Sequence, residues 1–166
     1  MTREVQCTPA ELETVIQRYG NSVYRLAYAQ THSRADADDI YQDVFLRYFQ
    51  KRPVFESEEH RKAWLLRVTI NRAKSYVTSA WFRLTVPLEE CISFVEPEEQ
   101  QLDEALGKLR VGDRQLLHLF YYEQLSIREI ADLLNRKDAT VRTQLTRARQ
   151  RLGKLLKGET NDEESV

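Results

Sequence analysis

The chain has 166 residues, with 25 Lys and Arg against 26 Asp and Glu and a formal net charge of −1. Four Pro and five Gly leave helical segments largely uninterrupted, and the two cysteines, Cys7 and Cys91, lack metal-ligand spacing and are too few for a disulfide framework. The start, MTREVQCTPAELE, holds no apolar signal core and no uncharged run approaches the roughly 20 residues of a membrane helix, so a protein of the reducing cytoplasm is expected.

Leucine-rich spacing dominates and no segment alternates as a strand would, which predicts an all-α chain of two small helical domains joined by a flexible acidic linker. The first domain is expected at 8–83. Thr8-Pro9-Ala10-Glu11 is a helix start with a capping-box spacing; Leu12, Val15, Ile16 and Tyr19 mark its inner face, and Gly20-Asn21 is expected to stop it. A second helix, 22–32, buries Val23, Leu26 and Ala27. Ser33-Arg34-Ala35-Asp36 turns into a third, 37–50, with Ile40, Val44, Phe45, Tyr48 and Phe49 inward. Pro53 breaks the pattern and KRPVFESEE reads as a loop. A fourth helix, 57–79, presents Trp64, Leu65, Val68 and Tyr76 to the core.

Periodicity lapses over 84–97, where Pro87, Pro97 and clustered acids mark the linker, with Ile92, Phe94 and Val95 as its apolar residues. The second domain, 98–157, opens with helices at 102–109 and 112–122, the latter turning Leu116, Leu117 and Phe120 inward; an acidic tail, 158–166, follows. Its last part, 125–156, is a helix-turn-helix. Ile127, Ile130, Ala131, Leu133 and Leu134 form one stripe, Asn135 suits a left-handed helix end, and Val141, Leu145, Ala148, Leu152 and Leu155 form the second stripe. Opposite lie Arg142, Thr143, Thr146, Arg147 and Gln150, side chains suited to phosphates and base edges in a major groove. Residues 139–157 contain no acid, whereas a merely solvated helix mixes signs to gain i,i+4 pairs. DNA is the expected partner.

Charge is sorted along the chain. Asp36, Asp38, Asp39 and Asp43 cluster; 60–88 has no acid but carries Arg61, Lys62, Arg67, Arg72, Lys74 and Arg83; 89–107 has no base. Two polyanion-facing surfaces and one surface for a basic partner follow. A freestanding regulator would use the same helix-turn-helix but needs a symmetric dimer, and no coiled coil is apparent. A nuclease would have to use the four clustered Asp residues as a metal site, with no histidine or nucleophile converging on them.

Three segments in order, DADDIYQDVFLRYF, HRKAWLLRVTINRA and LSIREIADLLNRKDATVRTQLTRARQRL, resemble the sigma-70 family of bacterial RNA polymerase sigma factors, and within it the two-domain extracytoplasmic function (ECF) group. The resemblance covers nearly the whole chain. It implies a promoter-specificity subunit with no catalysis, cofactor or metal of its own. Asp36, Asp39, Gln42, Asp43 and Arg47 would meet the β′ clamp helices of core RNA polymerase, with the β flap a further contact. The segment 54–79 would melt and read the −10 promoter element, with Arg61, Lys62, Arg67, Arg72 and Lys74 on phosphates, Asn71 on a base edge, and Trp64 in the core. Where relatives carry an Asp and then a basic run, this chain has Ser75 and Val77-Thr78-Ser79, which reduces phosphate attraction at that end.

The −35 element would meet Lys137, Thr140, Arg142, Thr143, Thr146 and Arg147, with Arg149 and Arg151 nearer the DNA backbone. Asn135 stands where relatives commonly have Gly, and Lys137 where a capping Ser or Pro is usual, leaving Asp138 to support the helix start. A cognate anti-sigma factor is a further implied partner. The acidic stretch with Glu96, Glu98, Glu99 and Asp103 is expected to thread a basic polymerase channel. Tethering both modules to one polymerase would raise their effective concentration on DNA.

Overall fold

The computed structural model describes residues 8–79 and 97–158. The chain divides into two compact units, Met1–Trp81 and Phe82–Val166. Among the described residues every regular element is helical. Of the linker expected at 84–97, residues 84–96, with Ile92, Phe94 and Val95, lie outside the described residues, as do both cysteines, Arg83 and the tail beyond Gly158, while Pro97 already belongs to a helix.

The first unit holds α1 (Pro9–Thr31), α2 (Arg34–Lys51) and α3 (Glu58–Ser79). The capping box forms: the Thr8 hydroxyl accepts from the Glu11 N–H at 3.2 Å, and the Glu11 carboxylate accepts from the Thr8 N–H at 3.1 Å. The expected stop at Gly20-Asn21 is not there; α1 is one helix of 23 residues. Its buried stripe, Val15, Tyr19, Val23, Leu26 and Ala27, keeps helical spacing across Gly20. A glycine inside a helix costs about 1 kcal/mol, which one continuous buried face outweighs. Gly20 is itself buried, and a Cβ there would lie 3.1 Å from the Tyr41 hydroxyl oxygen of α2, so the missing side chain admits a neighbour.

α1 ends at His32 and α2 at Arg52, both left-handed, with φ of 49° and 46°. Ser33 caps α2, its hydroxyl accepting from the Asp36 N–H at 3.3 Å, so that helix starts three residues before the expected point. Ile40, Val44, Phe45 and Tyr48 bury against α1 and against Leu65 and Ala73 of α3. Trp64 packs on this core, its ring edge-on to Tyr48 at 5.8 Å.

The second unit holds α4 (Pro97–Lys108), α5 (Val111–Leu117), a π-helical turn (His118–Tyr122), α6 (Ile127–Leu134) and α7 (Asp138–Leu156). α4 starts at Pro97, five residues earlier than expected, because proline suits a first helical position; Glu98, Glu99 and Asp103 are therefore helical. Buried Arg114 closes the far end of α4 by donating to the Leu109 carbonyl at 2.6 Å. The π turn shifts the α5 pattern by a residue: Leu119 is fully buried and the expected Phe120 only partly so. α6 opens with a Ser126–Glu129 capping box and ends at left-handed Asn135, φ 54°, as expected. Lys137 precedes α7 without a side-chain cap bond, and Asp138 occupies the first turn. Ile130, Val141, Leu145 and Ala148 fill the core between the two helices.

Candidate polymerase and nucleic-acid interfaces

On α2, Asp39 and Gln42 are exposed, and Asp36, Asp43 and Arg47 are half-buried along one flank of the same surface. Helical spacing turns Ile40 and Val44 inward and leaves this acidic side outward. Leu46 lies in its middle with 53% of its surface exposed. The sequence reading missed Leu46, although it sits off the Ile40–Val44–Tyr48 stripe and on the side of Asp39 and Gln42. An exposed leucine ringed by polar groups suits a protein partner.

On α3 the residues assigned to DNA separate into two groups. Arg67, Asn71 and Lys74, spaced i, i+4 and i+7, are exposed together. Arg61, Lys62 and Arg72 are half-buried. Arg72 Nη2 is 2.8 Å from Asp43 Oδ2, which joins a DNA candidate to a polymerase candidate. Arg61 lies over the Phe55 ring at 5.3 Å and 3.7 Å from the Glu58 carboxylate.

Glu58 gathers a small network. The Tyr19 hydroxyl donates to it at 2.5 Å, and Arg18 Nη1 is 3.6 Å away. The Tyr19 hydrogen bond, helped by Arg61 and Arg18, holds the Glu58 carboxyl below its ordinary range. Burial first, then Glu58, pushes the Tyr19 phenol up. Phe55 also meets Tyr48, His60 and Trp64, so the α2–α3 loop is pinned by its ring while Val54 stands 79% exposed.

On α7, Lys137, Thr140, Arg142, Thr143, Thr146 and Arg147 are all exposed. The hydroxyls of Thr143 and Thr146 donate back to the Ala139 and Arg142 carbonyls at 3.0 Å, leaving their lone pairs as outward acceptors. Arg149 lies over the Phe120 and Tyr121 rings at 5.5 and 5.8 Å. Arg151 donates to both oxygens of Asp113 at 3.2 and 3.0 Å. These two cations brace α7 against the π turn and α5. Arg147, Gln150, Arg151 and Lys154 line a shallow cleft of about 270 Å³. Arg136, in the turn, was also missed; it is exposed and donates to Gln144 Oε1 at 2.8 Å.

Among the described residues no group of three or more His, Cys, Asp or Glu converges as a metal site would. No described helix is long and apolar enough to cross a membrane.

This organisation has clear relatives. The family model for Sigma-70 region 2 matches residues 15–83, and that for Sigma-70, region 4 matches 99–152. The chain is 29% identical over 164 residues to the ECF RNA polymerase sigma factor SigM of Bacillus subtilis (strain 168), covering 92% of this chain and 99% of that one. It is 26% identical over 152 residues to the RNA polymerase sigma factor SigV of the same organism, covering 88% and 91%. Among solved structures, the sigma factor RpoE in complex with the anti-sigma factor NepR, from Bartonella quintana, matches with a TM-score of 0.75 at 22% identity, over 90% of this chain and 99% of that chain. CnrH in complex with the cytosolic domain of CnrY matches with 0.68 at 24%, over 92% of each. The chain belongs to the sigma-70 family of RNA polymerase sigma factors, within the ECF group. It serves promoter-directed transcription initiation, and neither matched model describes a catalytic family.

Proposed function

We propose that α2 docks on the β′ clamp helices of core RNA polymerase through Asp36, Asp39, Gln42, Asp43 and Arg47, with Leu46 at the centre, and that the second unit also meets the β flap. α3 takes the −10 element: Arg67 and Lys74 on phosphates of the opened strand, Asn71 on a base, with Arg61, Lys62 and Arg72 behind them. α7 takes the −35 element through Thr140, Arg142, Thr143, Thr146 and Arg147, with Lys137 at its start. Arg149 and Arg151 set the seat of α7 more than they reach for phosphate. The observation that carries this reading is the outer face of α7, cationic, acid-free from 139 to 157, and placed after a capped left-handed turn. A good bidentate base contact there discriminates by about 1–3 kcal/mol.

An anti-sigma factor is a natural further partner, since RpoE and CnrH were each solved with a partner protein. Glu98, Glu99 and Asp103 approach the basic polymerase channel from the start of α4. The test is runoff transcription from a genomic fragment library with reconstituted holoenzyme. Defined start sites are expected, lost in Arg142→Ala/Arg147→Ala at promoters that depend on the −35 element. Co-elution with core polymerase is expected to weaken in Asp39→Ala/Gln42→Ala. A chain that initiates nowhere, or that binds duplex sites as a dimer without polymerase, sinks this reading.

A further inference from the structure

We propose that the acidic segment 159–166 folds back on α7 and fills the cationic cleft of Arg147, Gln150, Arg151 and Lys154, its carboxylates standing in for DNA phosphates. The consequence for DNA rests on the assignment of α7 to the −35 element; the contact itself does not.

The cleft is suited to an anion. Its four lining residues are spaced i, i+3, i+4 and i+7, so it runs for about two turns along one face of α7. Arg151 is committed to Asp113, which cancels that one charge. Among the described residues no carboxylate pairs with Arg147 or Lys154. The helix cannot supply one, because 139–157 contains no acid. The next segment does: it carries Glu159, Asp162, Glu163 and Glu164 and no base.

The end of α7 aims that segment. Gly158 is left-handed, φ 77°, and its N–H donates to the Leu155 carbonyl at 3.2 Å. A residue in that conformation turns the chain off the helix axis. The distances then match. Lys154, Arg151 and Arg147 lie roughly 6, 10 and 16 Å back from Gly158 along the axis. An extended chain carries Asp162 and Glu164 about 13 and 20 Å from the same point. The acids therefore reach the cations with a few residues of freedom in register. Gly153, next to the cleft, leaves the helix surface bare, and a Cβ there would meet nothing within 4 Å. No described neighbour needs so small a residue, whereas a backbone laid along that flank does.

With the segment seated, a phosphate reaching Arg147 or Lys154 must displace a carboxylate that already neutralises it. Fewer counterions are then released when DNA binds. The effect is the same for every sequence, so it shortens residence on any duplex and leaves base preference unchanged.

The contact is tested on the full chain without DNA. A water-soluble carbodiimide joins a carboxylate to an amine it touches as an amide, the reagent taking up the water. Lys154 is the one amine lining the cleft. Peptide mass spectrometry of the monomer should find Lys154 joined to Asp162, Glu163 or Glu164, and high salt should abolish the bond. Bonds to Lys157 alone, or only between chains when light and heavy isotopic preparations are mixed, overturn the proposal. The consequence is read by anisotropy with a fluorescent duplex of mixed sequence at low salt. Glu159→Gln/Asp162→Asn/Glu163→Gln/Glu164→Gln should bind about 3- to 10-fold tighter, with a salt slope steeper by about 1 to 2. In the Arg147→Gln/Lys154→Gln background the same four changes should give no gain. A gain that survives there reflects overall charge and overturns the proposal, as does no gain at all. The α7 assignment is judged separately, by the runoff loss in Arg142→Ala/Arg147→Ala, so its failure is distinct from failure of the amide bond to form.

Discussion

Arg151 of α7 spans to Asp113 of α5, its Nη1 3.2 and 3.0 Å from the two carboxylate oxygens. An arginine that the sequence places beside DNA thus holds the recognition helix onto its own domain. Arg151→Ala would strand a nearly buried carboxylate and should cost about 2 kcal/mol in urea unfolding. Arg147→Ala, exposed and outside that pair, should stay within about 0.5 kcal/mol of the parent. It should instead weaken DNA binding by the holoenzyme and lower the salt slope by about 1. An unchanged urea midpoint for Arg151→Ala would refute the clamp.

Asn21 lies inside α1 with its side chain exposed. Asn21→Ala should therefore stabilise the chain by about 0.5 kcal/mol, the difference in helix propensity. Were Asn21 a helix cap, the same change would destabilise by about 1 kcal/mol. The sign of the shift in thermal midpoint decides between one helix and two.

The Tyr19–Glu58 pair gives stability a two-sided pH dependence. Glu58 has a folded pKa below its ordinary 4.5, so its contribution is complete above that value and is lost as pH falls through the lowered one. Tyr19 has a folded pKa above 10.0, so its contribution is complete below that value and is lost as pH rises through the raised one. Glu58→Gln should flatten the acid limb of the melting temperature against pH, and Tyr19→Phe the alkaline limb. Parallel curves for parent and variants would show that the pair contributes nothing.

Lys137 holds the extended conformation of an N-cap, φ −74° and ψ 147°, without a capping side chain. Lys137→Ser should add the missing hydrogen bond and about 1 kcal/mol of stability. The same change removes a cation from the proposed DNA face, so affinity should fall as stability rises. A loss of both would mean that Lys137 supports the turn in another way.

Much of the fold is legible in the sequence alone. The stripes through Ile40, Val44 and Tyr48 and through Val141, Leu145 and Ala148 repeat with the helical period, because one face of each helix meets one core. Thr8 and Asn135 signal their caps locally. Gly20 misled, since a glycine that stops a helix and one that admits a neighbour read the same until Tyr41 is in place. Which cations stay outward was also hidden. That depends on partners 29 and 38 residues away, Asp43 for Arg72 and Asp113 for Arg151, and no local pattern encodes such distances.

The π turn of His118–Tyr122 has a consequence for the aromatic ledge beneath Arg149. An α-helix advances roughly 100° for each residue, so the added residue works as an angular index, sending Leu119 inside and leaving Phe120 and Tyr121 to carry the guanidinium. Excise a single residue from that turn and the ledge would swing away by about that arc, unseating one side of the helix meant for the promoter.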